Sequence, residues 1–264
     1  MDLELRGKRA VITGGSVGIG LAVAHALATE GVDVAIIARD KERVEREARD
    51  IARAHSVRAL GISGDVAKKS DVDAAIGRIA REFDGVDILI NNAGTGTSET
   101  IMDATDEKWQ YFWDLHVMAA IRCARVIVPL MRKRGGGVIL NSASLCAKQP
   151  MSYEPIYNTT KAALVMLSKC LANELVKENI RVNAINPGLI LTPDWKKTAG
   201  ILTKGTETTV DQYLDKYAKD NAPIGRFATP EELAYFYVFM CSSRSSYCIG
   251  SSYNVDGGLL KTVD

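Results

Sequence analysis

The chain is poor in the features that would mark a secreted, metal-bound or nucleic-acid-binding protein. Its five cysteines (Cys123, Cys146, Cys170, Cys241 and Cys248) are scattered, odd in number and without Cys-x-x-Cys spacing. That pattern excludes a disulfide framework and a zinc site, so no metal is expected and a reducing, cytoplasmic setting is. No charge of one sign dominates: 33 Lys and Arg face 32 Asp and Glu, a net charge of +1. Phosphate-rich partners need a basic surplus, which argues against nucleic acid and against a polybasic membrane anchor. Long apolar runs are missing too. The stretch Ala234 to Cys241 is among the longest and falls far short of a membrane span. Met1 to Arg6 is charged from the outset and lacks a signal-peptide core. Asn158-Thr159-Thr160 has glycosylation spacing, but nothing else points to secretion. What remains is 264 residues, 47% apolar and 25% charged, enough for one large domain or two small ones with a sizeable core.

Apolar runs that read as strands alternate with helical patterns. Arg9 to Thr13 is a short buried strand followed by Thr13-Gly14-Gly15-Ser16-Val17-Gly18-Ile19-Gly20 and an apolar-periodic helix stopped by Gly31. Glycines between a strand and a helix let the backbone turn tightly and approach a pyrophosphate, whose charge meets the helix N-terminus. Val32 to Ile37 is the second strand, and a charged helix runs from about Asp40 to His55. Arg39 stands where a guanidinium can accommodate the 2′-phosphate of NADP; Asp40 lies near the offset of a ribose-binding acid but reads better as the N-cap of the next helix. NADP(H) is therefore the first choice, with NAD(H) open.

Further strands are expected at Val57 to Ile62, Val86 to Ile90, Gly137 to Asn141, Ile180 to Ile185 and Ser252 to Val255. Helices are expected at Lys68 to Phe83, Asp106 to Arg134 (with a bend or end near Pro129), Tyr157 to Asn179 and Pro230 to Cys241. Leu191 to about Phe227 reads as polar and irregular, with helix only near Asp211 to Asp220. The alternation predicts one doubly wound α/β domain with a parallel sheet of about seven strands, its ligand outside the C-terminal strand ends.

Tyr157 and Lys161 are four apart at the start of a helix and share a face. A phenol titrates near 10, and a fixed cation beside it favours the phenolate, so such a pair can move a proton at a carbonyl or alcohol oxygen. Taken with the glycine loop, Asp65, Asn91-Asn92-Ala93-Gly94, Ser144, Pro187-Gly188 and Thr192, the chain resembles the short-chain dehydrogenase/reductase family from about Leu5 to its end. It looks closest to the branch of 3-oxoacyl-carrier-protein reductases and bacterial alcohol and sugar dehydrogenases. The resemblance implies that Tyr157 is the general acid/base, that Lys161 lowers its pKa and binds the nicotinamide ribose, and that Ser144 orients the substrate oxygen, with Ser142 a nearby rival. It implies cofactor contacts at Gly14, Ser16, Val17, Gly18, Ile19, Gly20, Arg39, Asp65, Val66, Asn92, Ala93, Gly94, Tyr157, Lys161, Pro187, Gly188, Ile190 and Thr192. It further implies a ketone or secondary-alcohol substrate and a homotetramer built on the long helices and the last strand, with Ala119, Ala120, Ala162, Ala163 and Met166 allowing close approach.

Two departures from the family pattern stand out. His116 occupies the position where relatives usually have an Asn in a proton relay to the Lys. A His with a pKa near working pH can also relay protons, so His116 is a fourth catalytic candidate. Val17 replaces the basic residue that NADP-preferring relatives often carry, leaving Arg39 as the main support for NADP. The segment from about 191 to 228 is expected to be a substrate lid, offering Trp195, Lys196, Lys197, Tyr213 and Tyr217. His25 and His55 are expected to be structural or solvated.

Overall fold

The computed structural model describes residues 2–262. In chain order the elements are β1 (Arg9–Thr13), α1 (Gly18–Thr29), β2 (Asp33–Ala38), α2 (Lys41–His55), β3 (Ala59–Ser63), α3 (Lys69–Glu82) and β4 (Ile88–Asn91). Then come α4 (Asp106–Trp113), a wide π turn (Asp114–Met118), α5 (Ala119–Arg132), β5 (Gly137–Ser142), α6 (Pro155–Leu175) and β6 (Ile180–Pro187). Helices α7 (Pro193–Leu202), α8 (Val210–Asn221) and α9 (Pro230–Cys241) precede β7 (Ser252–Val255).

All seven strands are parallel, in the order β3-β2-β1-β4-β5-β6-β7. A sheet buried on both faces has near-continuous apolar strands whose successive side chains feed opposite cores. Ala10, Ile12, Val34, Ile36, Ile88 and Ile90 pack with α1, α2 and α9 on one face. Val11, Ala35, Ile37, Leu89 and Ile139 pack with α3, α5 and α6 on the other. Each buried aliphatic side chain contributes about 1.5–3 kcal/mol, so each layer needs both its helices and its strands. Strand order reverses between β1 and β4, which opens the crevice a doubly wound sheet uses for ligands.

The expected fold is present, with local differences. The 106–134 pattern is interrupted by the π turn rather than by Pro129, which stays inside α5. Leu115, His116 and Val117 are all buried there. Helix α7, expected to be irregular, starts on Pro193, whose fixed φ suits the first helical turn. Ala119 and Ala120 are buried within the chain's own core, whereas Ala162 and Met166 are exposed. Asp40 is the N-cap expected of it, accepting from the Arg43 amide at 3.0 Å.

Candidate active site

The site is built at the C-terminal ends of β1, β4, β5 and β6. After β1 the chain turns through Gly14, with φ of 66°, a left-handed conformation that glycine adopts freely. A Cβ on Gly20 would lie 2.4 Å from the Gly14 carbonyl oxygen and 2.5 Å from Asn92 Nδ2, so α1 can dock this tightly only with glycine there. The Thr13 hydroxyl accepts from the amides of Asn92 and Ala93 at 3.0 and 3.1 Å, and Asn92 Nδ2 donates to the carbonyls of Thr13 and Gly14. Asn92 and Ala93 thus lock the β4 end to the glycine loop. Val17 is the N-cap of α1 and makes no side-chain cap bond to the first-turn amides.

The other predicted cofactor positions divide by what their side chains do. Val66 and Ile190 are buried in the two cores, Ile19 packs against one of them, and Ser16 is buried beside the glycine loop. Asp65 Oδ1 accepts from the Ala67 amide at 3.1 Å. Pro187 ends β6 and the Gly188 amide donates to Val255. Thr192 stands at the N-cap position of α7 without a side-chain cap bond and lies against Gly18: a Cβ on Gly18 would sit 3.4 Å from its methyl. Arg39 follows β2; its carbonyl accepts from the Ser63 hydroxyl at 3.1 Å, and its guanidinium has no carboxylate partner among the described residues.

Ser144, Tyr157, Lys161 and His116 are brought together. Ser144 follows β5; its hydroxyl accepts from the Cys146 amide at 3.2 Å and favours the ionised form of the Tyr157 phenol. Ser142 is distinguished from it: its hydroxyl pairs with the buried Tyr237 of α9 at 2.7 Å, and its carbonyl accepts from Lys161 Nζ at 2.7 Å. The Lys161 ammonium lies 5.4 Å from the Tyr157 ring centroid. Burial brings the Lys161 pKa down to about 8. Burial also pushes the Tyr157 phenol above its usual range, with only the Ser144 hydroxyl pulling the other way. The Lys161 ammonium donates to the Ser142 carbonyl and is not among the groups that shift the Tyr157 phenol.

His116 lies beside Lys161 and Tyr157, and burial sets its charge state. The ring is 2% exposed, and burial followed by the Lys161 charge push its pKa down to about 2, against the opposing influence of the Thr95 backbone. It is a neutral imidazole across the working pH range and does not titrate near neutrality. Nδ1 pairs with the Thr160 hydroxyl at 2.8 Å, the ring stands edge-on to Tyr157 at 5.6 Å, and no partner meets hydrogen-bond geometry at Nε2. A Cβ on Gly94 would come 3.2 Å from that Nε2 and 3.5 Å from Lys161 Nζ, which places Gly94 against both.

Several contributors besides Asn91, which the sequence had already singled out, were not assigned from the sequence. A buried chain of hydrogen bonds runs Asn91–Asn141–Ser168, each link 2.8 Å, tying β4 and β5 to α6. Glu154 precedes α6; burial first and Glu99 second raise its pKa to about 7. Glu99 itself pairs with Lys108 at 2.7 Å. Consecutive asparagines at strand ends and two acids outside any charged run were the available signals. From the segment after β6, Trp195, Tyr217 and Phe227 pack in a small third cluster that includes Tyr157 and Cys146, while Lys196 and Lys197 point to solvent. His25 and His55 pair with each other at 3.0 Å, away from this site.

A family model described as enoyl-(acyl carrier protein) reductase matches residues 14–260. Dehydrogenase/reductase SDR family member 4 of Oryctolagus cuniculus is 36% identical over 96% of this chain and 94% of its own length. The chain belongs to the short-chain dehydrogenase/reductase family. As a member of that family it is an oxidoreductase acting on alcohols and ketones. Galactitol 2-dehydrogenase of Agrobacterium fabrum is 34% identical over 97% of this chain and 98% of its own. The crystal structure of L-sorbose reductase from Gluconobacter frateurii, complexed with NADPH and L-sorbose, is 57% identical over the whole of both chains, with a TM-score of 0.98. Among the described residues no helix is long and apolar enough to cross a membrane, and no cluster of three metal-ligating side chains occurs.

Proposed function

We propose that the chain is an NADPH-dependent reductase that interconverts a polyhydroxylated ketone of the ketose class and its secondary alcohol. The observation that carries the reading is the convergence of the Ser144 hydroxyl, the Tyr157 phenol and the buried Lys161 ammonium at the mouth of a crevice bounded by an uncapped helix N-terminus. The substrate class is supported by the likeness to a structure holding NADPH and L-sorbose and to a galactitol dehydrogenase.

The site fits a dinucleotide. The α1 amides would hold the pyrophosphate, and the guanidinium of Arg39, uncompensated by any carboxylate, would hold a 2′-phosphate. When bound, the reduced nicotinamide supplies the hydride for the carbonyl carbon. The rest is done by the chain. Ser144 and Tyr157 bind the carbonyl oxygen, and desolvation keeps Tyr157 protonated, the form reduction requires. As charge develops on the oxygen, the phenol gives up its proton to it, and the resulting phenolate faces the Lys161 cation. His116, being neutral, can pass a proton only by accepting at one nitrogen while releasing at the other. The aromatic cluster of Trp195, Tyr217 and Phe227 serves as a lid that keeps water from the phenol.

A homotetramer fits the exposed Tyr235, Phe239 and Tyr247 around α9 and the exposed Met166 on α6; light scattering on the purified protein tests it. The central test is a side-by-side titration of NADPH and NADH, followed by steady-state reduction of ketoses and of acyl-thioester ketones. Tighter NADPH binding that is lost in Arg39→Ala, with turnover of ketoses, supports the reading. Tighter NADH binding and polyol oxidation would replace it with an NAD-dependent sugar-alcohol dehydrogenase.

A further inference from the structure

We propose that Tyr111 is a positioning residue for Arg39, and that this pair rather than Arg39 alone sets the preference for a 2′-phosphorylated dinucleotide. The inference rests on the reading of Arg39 as the phosphate ligand.

Arg39 Nη1 donates to the Tyr111 hydroxyl at 3.4 Å, joining the end of β2 to α4 across 72 residues of sequence. The Arg39 backbone is tied separately to Ser63 at the end of β3. The residue is therefore held at its backbone by Ser63 and at its guanidinium by Tyr111 before any ligand arrives. Its neighbour Asp40 is not a competitor, because that carboxylate caps α2 and pairs with Arg43 at 3.3 Å.

Tyr111 is suited to the task by position and by charge. Its ring stands edge-on to Phe112 at 5.2 Å, and Phe112 is buried against the ring of His116, so the phenol is carried on a packed platform. Tyr111 shares the wall of a groove of about 560 Å³ with Asp65, Lys68, Asp106 and Glu107. Asp65 is the residue expected beside the adenine, which places this groove at the adenosine end of the cleft. A phenol accepts a hydrogen bond without neutralising the guanidinium, whereas the Asp106 and Glu107 carboxylates in the same groove would draw a released guanidinium away from a phosphate. Holding a long side chain in one geometry before binding removes part of the entropy that binding would otherwise cost.

The test is fluorescence titration of NADPH and NADH onto the purified cofactor-free protein, for the wild type, Arg39→Ala, Tyr111→Phe and the double variant. Tyr111→Phe removes one oxygen from a side chain at the surface and keeps the ring. Arg39→Ala is expected to weaken NADPH by about 10–100-fold, the loss of a charge-assisted contact, and to leave NADH nearly unchanged. Tyr111→Phe is expected to weaken NADPH by about 3–10-fold, again sparing NADH. The double variant should bind NADPH no more weakly than Arg39→Ala. Equal weakening of both nucleotides by Tyr111→Phe, no change in their ratio, or additive losses in the double variant would overturn the proposal. An unchanged ratio in Arg39→Ala would instead overturn the parent reading of Arg39.

Discussion

Lys161 donates to the Ser142 carbonyl at 2.7 Å and not to Tyr157, although the two share a helix face. The ammonium is 4% exposed and its pKa falls to about 8, so a cation is held in a place that disfavours charge. Between about pH 8 and the unfolded value of 10.5 the unfolded chain binds more protons than the folded one, so folding stability rises with pH across that window. Below pH 8 the whole cost is present, up to about 3 kcal/mol from the shift. Lys161→Met should therefore raise the melting temperature of the cofactor-free protein at pH 7, with the gain shrinking toward pH 10, while abolishing turnover. A lower melting temperature at pH 7 would mean that the Ser142 bond outweighs desolvation.

Ser142 and Ser144 separate structure from chemistry. On the proposed reading, in which Ser144 binds the substrate oxygen, Ser144→Ala should cost about 100-fold or more in kcat with little change in stability. Ser142→Ala leaves the buried Tyr237 hydroxyl without its partner and should cost about 1–3 kcal/mol in denaturant unfolding, with kcat kept within a few-fold. Equal losses of kcat in the two variants would reject this division of roles.

His116 gives a pH prediction with a definite sign. Its folded pKa of about 2 lies below the unfolded 6.5, so the folded state loses stability as pH falls through that interval. At pH 4 the loss is about 3 kcal/mol. His116→Asn should flatten the acid limb of the stability curve, measured by urea unfolding from pH 7 to 4. The wild-type rate profile should show no inflection near 6.5 that the variant removes; such an inflection would place a titrating ring in the mechanism.

Glu154 titrates where the enzyme works. Burial and Glu99 raise it to about 7, so it is protonated below neutrality and charged above. If it meets substrate hydroxyls, KM for a ketose should change across pH 6–8, and Glu154→Gln should remove that change. Glu99→Gln should shift the same inflection downward, because it removes the neighbouring charge. A pH-independent KM in the wild type would exclude Glu154 from substrate binding.

The sequence by itself determined the alternation of elements, the glycine loop, the N-cap at Asp40 and the placing of Tyr157 and Lys161 on one helix face. These depend on local periodicity, on backbone freedom and on spacing within one helix, all of which are written in neighbouring residues. It also pointed to His116 as a departure, but its state is set by what surrounds it. The π turn, Gly94, and the Thr160 hydroxyl with the adjacent Lys161 charge come from three separate stretches, and desolvation by their packing makes the ring neutral. Tertiary structure likewise decided which of Ser142 and Ser144 faces Tyr157, sent Ala119 and Ala120 into the core, and brought Tyr111 across to Arg39. Each of these is a long-range contact or a burial energy, and neither has a signature in the order of nearby residues.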